Sequence, residues 1–135
     1  MAKFSKISQK RLLECDQRLV DLFTEVIADF DCVVLVGHRN KVDQDAAVAA
    51  GNSKLVYPKS KHNTVPSKAI DVGPYDRPQS PIDWNDRERF TLFAGFVLGV
   101  AKSRGIPLRW GGDWNGDNRL ADNTFDDLVH FELID

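Results

Sequence analysis

The chain has 135 residues, 42% of them hydrophobic and 10% aromatic, enough apolar material for one small domain to bury a core without disulfides. Its formal net charge is −2, and no basic patch is evident that would suit nucleic acid as a partner. Only Cys15 and Cys32 carry thiols, each inside an apolar pattern and without a Cys-x-x-Cys partner, which argues for buried free cysteines made in a reducing cytoplasm.

The N-terminus, Met1-Ala2-Lys3-Phe4, runs into polar residues and lacks the apolar core of a signal peptide. From Ser8 to Phe30, Leu12, Cys15, Leu19, Leu22, Phe23, Val26 and Phe30 recur at three- and four-residue spacing, which predicts one amphipathic helix. Cys32 to Val36 follows as a buried strand whose end delivers Gly37-His38-Arg39 to a loop mouth. A short helix over about Val42 to Ala50 closes at Gly51, a residue suited to a left-handed helix exit. The polar segment Asn52 to Lys68, with Pro58 and Pro66, carries His62. Long loops of this kind in small domains are usually functional.

Ala69 to Gly73 reads as a strand with Ile70 and Val72 on one face and Ala69, Asp71 and Gly73 on the other. Pro74, Pro78 and Pro81 then make a stiff connection to Asp83-Trp84, and Asn85 with Glu88 forms a capping box for a helix reaching about Arg104. Its inner face is Phe90, Phe93, Ala94, Val97 and Ala101. The longest apolar stretch, Phe90 to Ala101, is well short of the ~18 residues of a membrane span. A short strand through Leu108-Arg109-Trp110 leads to a turn at Gly111-Gly112-Asp113-Trp114-Asn115. Asp113 onward begins like a calcium loop, but Asn118 and Thr124 stand where that motif needs Gly and Glu, so a solvated loop is expected up to Asp127. Finally, Leu128 to Leu133 alternates, with Val129, Phe131 and Leu133 on the apolar face and His130 and Glu132 opposite. No repeat or linker interrupts the chain.

Two strands therefore each aim a metal-capable residue, Asp71 and His130, away from the core, and His62 lies in the loop before the first of them. Two imidazoles and a carboxylate are a three-ligand set for a catalytic metal that leaves a fourth position for water. Alone, either histidine would read as an ordinary hydrogen-bonded residue; the shared alternation is what makes them candidates.

These segments resemble the LAS-type zinc D,D-carboxypeptidases and L-alanyl-D-glutamate endopeptidases, which cut bacterial peptidoglycan stem peptides, and most of all the compact phage endolysin branch. The resemblance rests on Ser60-Lys61-His62, Ala69-Ile70-Asp71 and Asp127-Leu128-Val129-His130. It extends through Gly37-His38-Arg39, Ile82-Asp83-Trp84-Asn85 and Trp110 to Trp114, so that it spans nearly the whole chain. Two departures stand out: the interval from His62 to Asp71 is longer than in many relatives, and the acid before His130 is Asp rather than the Glu common in the carboxypeptidases. The second leans towards the endopeptidases.

The resemblance implies an α+β fold of the hedgehog/D,D-peptidase type, a small antiparallel β-sheet covered by helices, with residues 1–135 as one catalytic domain. It implies that His62, Asp71 and His130 bind Zn²⁺, that Asp127 is the general base, and that Arg39 holds the substrate or the developing oxyanion. Asp127 stands three residues before His130, so in a continuous strand it would point to the wrong face; it is expected in the loop that enters the strand. The partner implied is the peptidoglycan stem peptide, with no nucleic acid and no membrane span, and a monomer is expected. With no export signal, the enzyme would remain in the host bacterial cytoplasm and reach the wall by a separate membrane lesion. A D-Ala-D-Ala carboxypeptidase is the neighbouring alternative, and a non-catalytic zinc-stabilised binding module the more distant one. Asp127 and Arg39 argue against the latter.

Overall fold

The computed structural model describes residues 2–135. Where one helix is expected over Ser8 to Phe30, two form: α1 (Lys6–Leu12) and α2 (Gln17–Asp29). The interruption has a tertiary cause. The Glu14 carbonyl accepts from the Ser67 N–H at 3.0 Å and the Asp16 N–H donates to the Ser67 carbonyl at 2.8 Å, so these groups serve a distant loop rather than a helix ladder. Asp16 then caps α2, its carboxylate accepting from the Arg18 N–H at 2.9 Å. The apolar stripe survives the break, with Leu12, Cys15, Leu19, Leu22, Phe23 and Val26 all buried.

The remaining elements are β1 (Cys32–Val36), α3 (Lys41–Ala49), β2 (Ala69–Pro74), α4 (Arg87–Ser103), β3 (Leu108–Gly111) and β4 (Asp127–Leu133). The strands form one antiparallel sheet in the order β1-β2-β4-β3. The architecture is thus α+β, a small antiparallel sheet covered by helices. Helix α4 packs across β2, β4 and β3 and against α2, while α1 lies on β1. In the core between them Phe131 meets Phe23 and Phe93 edge-on, with ring centroids 5.6 and 6.1 Å apart.

Strand β1 is an edge, and α1 covers it. Ser8 Oγ accepts from the Val34 N–H and Arg11 Nη1 donates to the Val34 carbonyl, both at 3.1 Å, which occupies groups that could otherwise recruit another strand. Helix α4 starts one residue later than the capping-box reading places it: the Asp86 carboxylate, not the Asn85 side chain, accepts from the Arg89 N–H at 3.1 Å. All five expected inner-face residues of α4 are buried. Both cysteines are buried free thiols.

One alternation fails. Val129 does not join Phe131 and Leu133; it packs with Ile82 and Phe90 in a second apolar cluster, beside Gly73. The register explains this, because Trp110 pairs with Phe131 while the next residue, Gly111, pairs with Asp127, so β4 is irregular between Asp127 and His130.

Candidate active site

Asp71 and His130 are direct cross-strand partners of β2 and β4, which sets their side chains next to each other on the sheet face opposite Ile70 and Phe131. His62 arrives from a 3₁₀ turn at Lys61–Asn63, where Ser60 Oγ accepts from the His62 N–H at 3.2 Å. Its loop is anchored on both sides, by Ser67 Oγ donating to the Gly37 carbonyl at 3.2 Å and by the Arg39 N–H donating to the His62 carbonyl at 2.8 Å. Gly37 has to be glycine here, because a Cβ would stand 2.2 Å from the Arg11 carbonyl oxygen.

His62, Asp71 and His130 each offer one ligand atom, and these atoms lie within 4.8 Å of one another. Asp71 Oδ1 is 3.0 Å from His62 Nε2 and 3.2 Å from His130 Nδ1. The outward nitrogens are committed elsewhere: His62 Nδ1 donates to the Gly37 carbonyl and His130 Nε2 to Glu132 Oε1, each at 2.8 Å. In the neutral, metal-binding form of each ring those bonds keep the proton on the outward nitrogen and turn the lone pairs of His62 Nε2 and His130 Nδ1 inward. Two imidazole nitrogens and one carboxylate, buried and oriented by neighbouring groups, fit a metal ion in a site with an open position.

The charges are arranged around this centre. Burial opposes ionisation of Asp71, yet the two imidazoles hold its carboxyl far below the usual carboxylate range. Burial likewise works against an imidazolium at His130, but hydrogen bonds to Asp71 and Glu132 push its pKa up to about 9. For Glu132 burial is outweighed by the bonds from His130 and Arg109, which draw it down to about 2. Asp127 moves the other way: burial first, then the Asp71 carboxylate, push it up to about 6.

Asp127 is the first residue of β4 rather than part of the preceding loop, but the irregular register there does what the loop was expected to do, and its Oδ2 lies 3.9 Å from His130 Nδ1. The approach depends on Gly111, where a Cβ would be 2.2 Å from the Asp127 carbonyl oxygen and 2.9 Å from its Cβ. Asp126, the neighbouring acid, is tied to Arg87 Nη1 at 2.6 Å and to Asn123 Nδ2 at 2.8 Å. Arg39 reaches the site from the end of β1, with Nη2 3.6 Å from Asp71 Oδ2 and Nη1 donating to Gln44 Oε1 at 3.0 Å.

Sequence reasoning did not foresee Gln44. It is 0% exposed, and besides holding Arg39 it accepts from Asn63 Nδ2 and donates to Ser53 Oγ and the Leu55 carbonyl, so it joins α3 to the start of the His62 loop and to the turn that carries His62. Nor does its sequence position in α3 mark it. Glu132 was legible only as a face-mate of His130; its pairing with Arg109 Nη2 at 2.6 Å and Lys61 Nζ at 3.7 Å was not.

The centre opens into a cavity of about 420 Å³ that reaches Arg39, Leu55, Trp114 and Phe125. Of the three tryptophans, Trp114 is the one on this cavity and stands 5.3 Å from His130 between ring centroids. Trp110 is buried and Trp84 packs on Phe90. His38 stays outside, with its N–H on the Glu14 carboxylate. The segment after Asp113 is the expected solvated loop, exposed from Asn115 to Arg119, and it is bonded internally: Asp113 Oδ2 accepts from the Asn118 N–H at 2.9 Å and Asn115 Nδ2 donates to Asp122 at 2.9 Å, around a buried Asp113.

The family model described as phage L-alanyl-D-glutamate peptidase matches residues 1–134. The L-alanyl-D-glutamate peptidase of Escherichia phage T5 is 34% identical over 139 residues, covering 98% of this chain and 98% of the relative. The crystal structure of the Serratia marcescens L-Ala D-Glu endopeptidase ChiX superposes with a TM-score of 0.74 at 25% identity, over 98% of this chain and 90% of that one. The chain therefore belongs to the phage L-alanyl-D-glutamate peptidase family.

Proposed function

We propose that this chain is a zinc-dependent peptidoglycan peptidase that hydrolyses the L-alanyl-D-glutamate bond of cell-wall stem peptides, with residues 1–135 acting as one catalytic domain. The observation that carries the reading is the convergence of His62, Asp71 and His130 within 4.8 Å, with Asp127 Oδ2 3.9 Å from His130 Nδ1. Family membership supplies the substrate class.

The donor set of two nitrogens and one carboxylate suits Zn²⁺ better than Mg²⁺ or Ca²⁺, which prefer all-oxygen sites. Zn²⁺ held there would polarise the scissile carbonyl and lower the pKa of water from 15.7 to about 7. The protein's own part is proton handling and charge. Asp127 accepts the proton of the attacking water at its carboxylate and passes it to the departing D-glutamate nitrogen. Burial pushes this carboxylate above its ordinary range, the direction that suits accepting and then releasing a proton near neutral pH. Arg39, held by Gln44 and facing Asp71, presents a fixed guanidinium to the oxygen on which negative charge develops. Trp114 walls the cavity beside His130 and limits access of bulk water.

A monomer acting in the host bacterial cytoplasm until a membrane lesion opens the way to the wall fits the phage family. No helix among the described residues is long and apolar enough to cross a membrane. Mass spectrometry of purified sacculi after digestion is the test: new free amino termini on D-glutamate, with uncut glycan, are expected. Free D-alanine as the main product would identify a carboxypeptidase instead.

A further inference from the structure

Five cations from separate parts of the chain line the cavity: Arg39, Lys54, Lys59, Lys61 and Arg109. Three are engaged with acids of the site, Arg39 with Asp71 at 3.6 Å and both Lys61 and Arg109 with Glu132. Lys54 and Lys59 are different. Both are exposed, and neither forms an ion pair with any described residue. Lys54 reaches across the mouth to place Nζ 4.6 Å from the centroid of the Phe125 ring, two residues before Asp127. An aromatic face locates the ammonium without neutralising it. Next to the proton-transferring carboxylate, Lys54 and Lys59 therefore carry positive charge without an ion-pair partner among the described residues, in a chain of net charge −2.

The chemistry of the bond supplies the anion. The D-glutamate on the leaving side has two carboxyl groups, and at most one of them continues the peptide. A free carboxylate therefore accompanies the departing amine. We infer that Lys54 and Lys59 are the seat of that carboxylate and set a preference for D-glutamate over its amidated form. The assignment rests on the activity proposed above. Binding there orients the leaving half, so that its nitrogen faces Asp127 on the same rim.

The test compares two synthetic stem peptides, identical except that the free D-glutamate carboxyl of one is amidated, using the zinc-loaded full chain. Exposed charge pairs are each worth up to about fivefold, so the wild type should favour the acid peptide by about tenfold in kcat/KM. In Lys54→Gln/Lys59→Gln that ratio should collapse towards one, mainly through a higher KM for the acid peptide. Lys54→Arg/Lys59→Arg should retain the preference, since the charge is kept. A wild type that cleaves neither peptide overturns the activity and the assignment with it. Cleavage of both without preference, or a preference that the glutamine variant keeps, overturns the assignment alone.

Discussion

On one face of β2 and β4, Ile70, Val72, Phe131 and Leu133 are 0% exposed against α2 and α4; on the other, Asp71, His130 and Glu132 are 8%, 7% and 7% exposed. Both faces are largely buried, so burial does not separate them. The first is held by contacts that are non-directional and numerous, while the second is held by a chain of single bonds from Gly37 through His62, Asp71 and His130 to Glu132. Apolar packing tolerates adjustment and loses energy in proportion to what is removed. The polar face loses a specific atom at a specific place. Substitutions on the two faces should therefore fail in different measurements.

The largest effect is expected from Asp127→Ala. Removing the general base should lower turnover by about 10² to 10⁴, while zinc content and thermal stability stay near wild type. Asp127 contributes to proton transfer and lies outside the apolar core. Wild-type turnover in a zinc-loaded variant would leave the role to another acid, with Asp126 handicapped by its bond to Arg87 at 2.6 Å. Phe131→Ala, on the opposite face of the same strand, should show the reverse pattern. Loss of a ring packed between Phe23 and Phe93 costs about 3–5 kcal/mol in denaturant unfolding. The fraction that remains folded should keep its zinc and its turnover per folded molecule. If the two variants instead lost activity and stability together, the faces would be energetically coupled and the contrast between them would be wrong.

How far this contrast was readable in the sequence depends on the range of each interaction. Asp71 and His130 stand out because strand alternation is local, and Ile70 and Phe131 mark the opposite side. The five inner-face residues of α4 follow from the same local logic. Val129 misled because a register slip at Gly111 and Asp127 is set by the pairing with β3, which no window along β4 contains. The break between α1 and α2 is invisible for a similar reason, since its cause is Ser67 in the loop before β2. Gln44 looks like any polar residue of a short helix, and its value lies in bonding Arg39, Ser53 and Leu55 at once. Composition likewise hides the cation-rich rim. Lys54, Lys59, Lys61 and Arg109 form no continuous basic run, and only the fold gathers them around one cavity.

The smallest effect expected on the polar face belongs to Glu132→Gln, and it sharpens the comparison because the substitution leaves the shape almost unchanged. Glutamine can still accept from His130 Nε2 through its amide oxygen, so the ring should keep its orientation. The negative charge is what disappears, and with it the pull on the imidazole proton and the counter-charge for Arg109 and Lys61. A less basic imidazole binds metal more weakly, and loss of such an outer partner typically lowers affinity by about 10- to 100-fold. Chelator competition at neutral pH should therefore show weaker zinc binding, with activity restored in excess zinc because Asp127 and Arg39 are untouched. Unchanged zinc affinity together with a lower melting temperature would make Glu132 a structural counter-ion for Arg109 and Lys61. The polar chain would then end at His130 rather than at the cations beyond it.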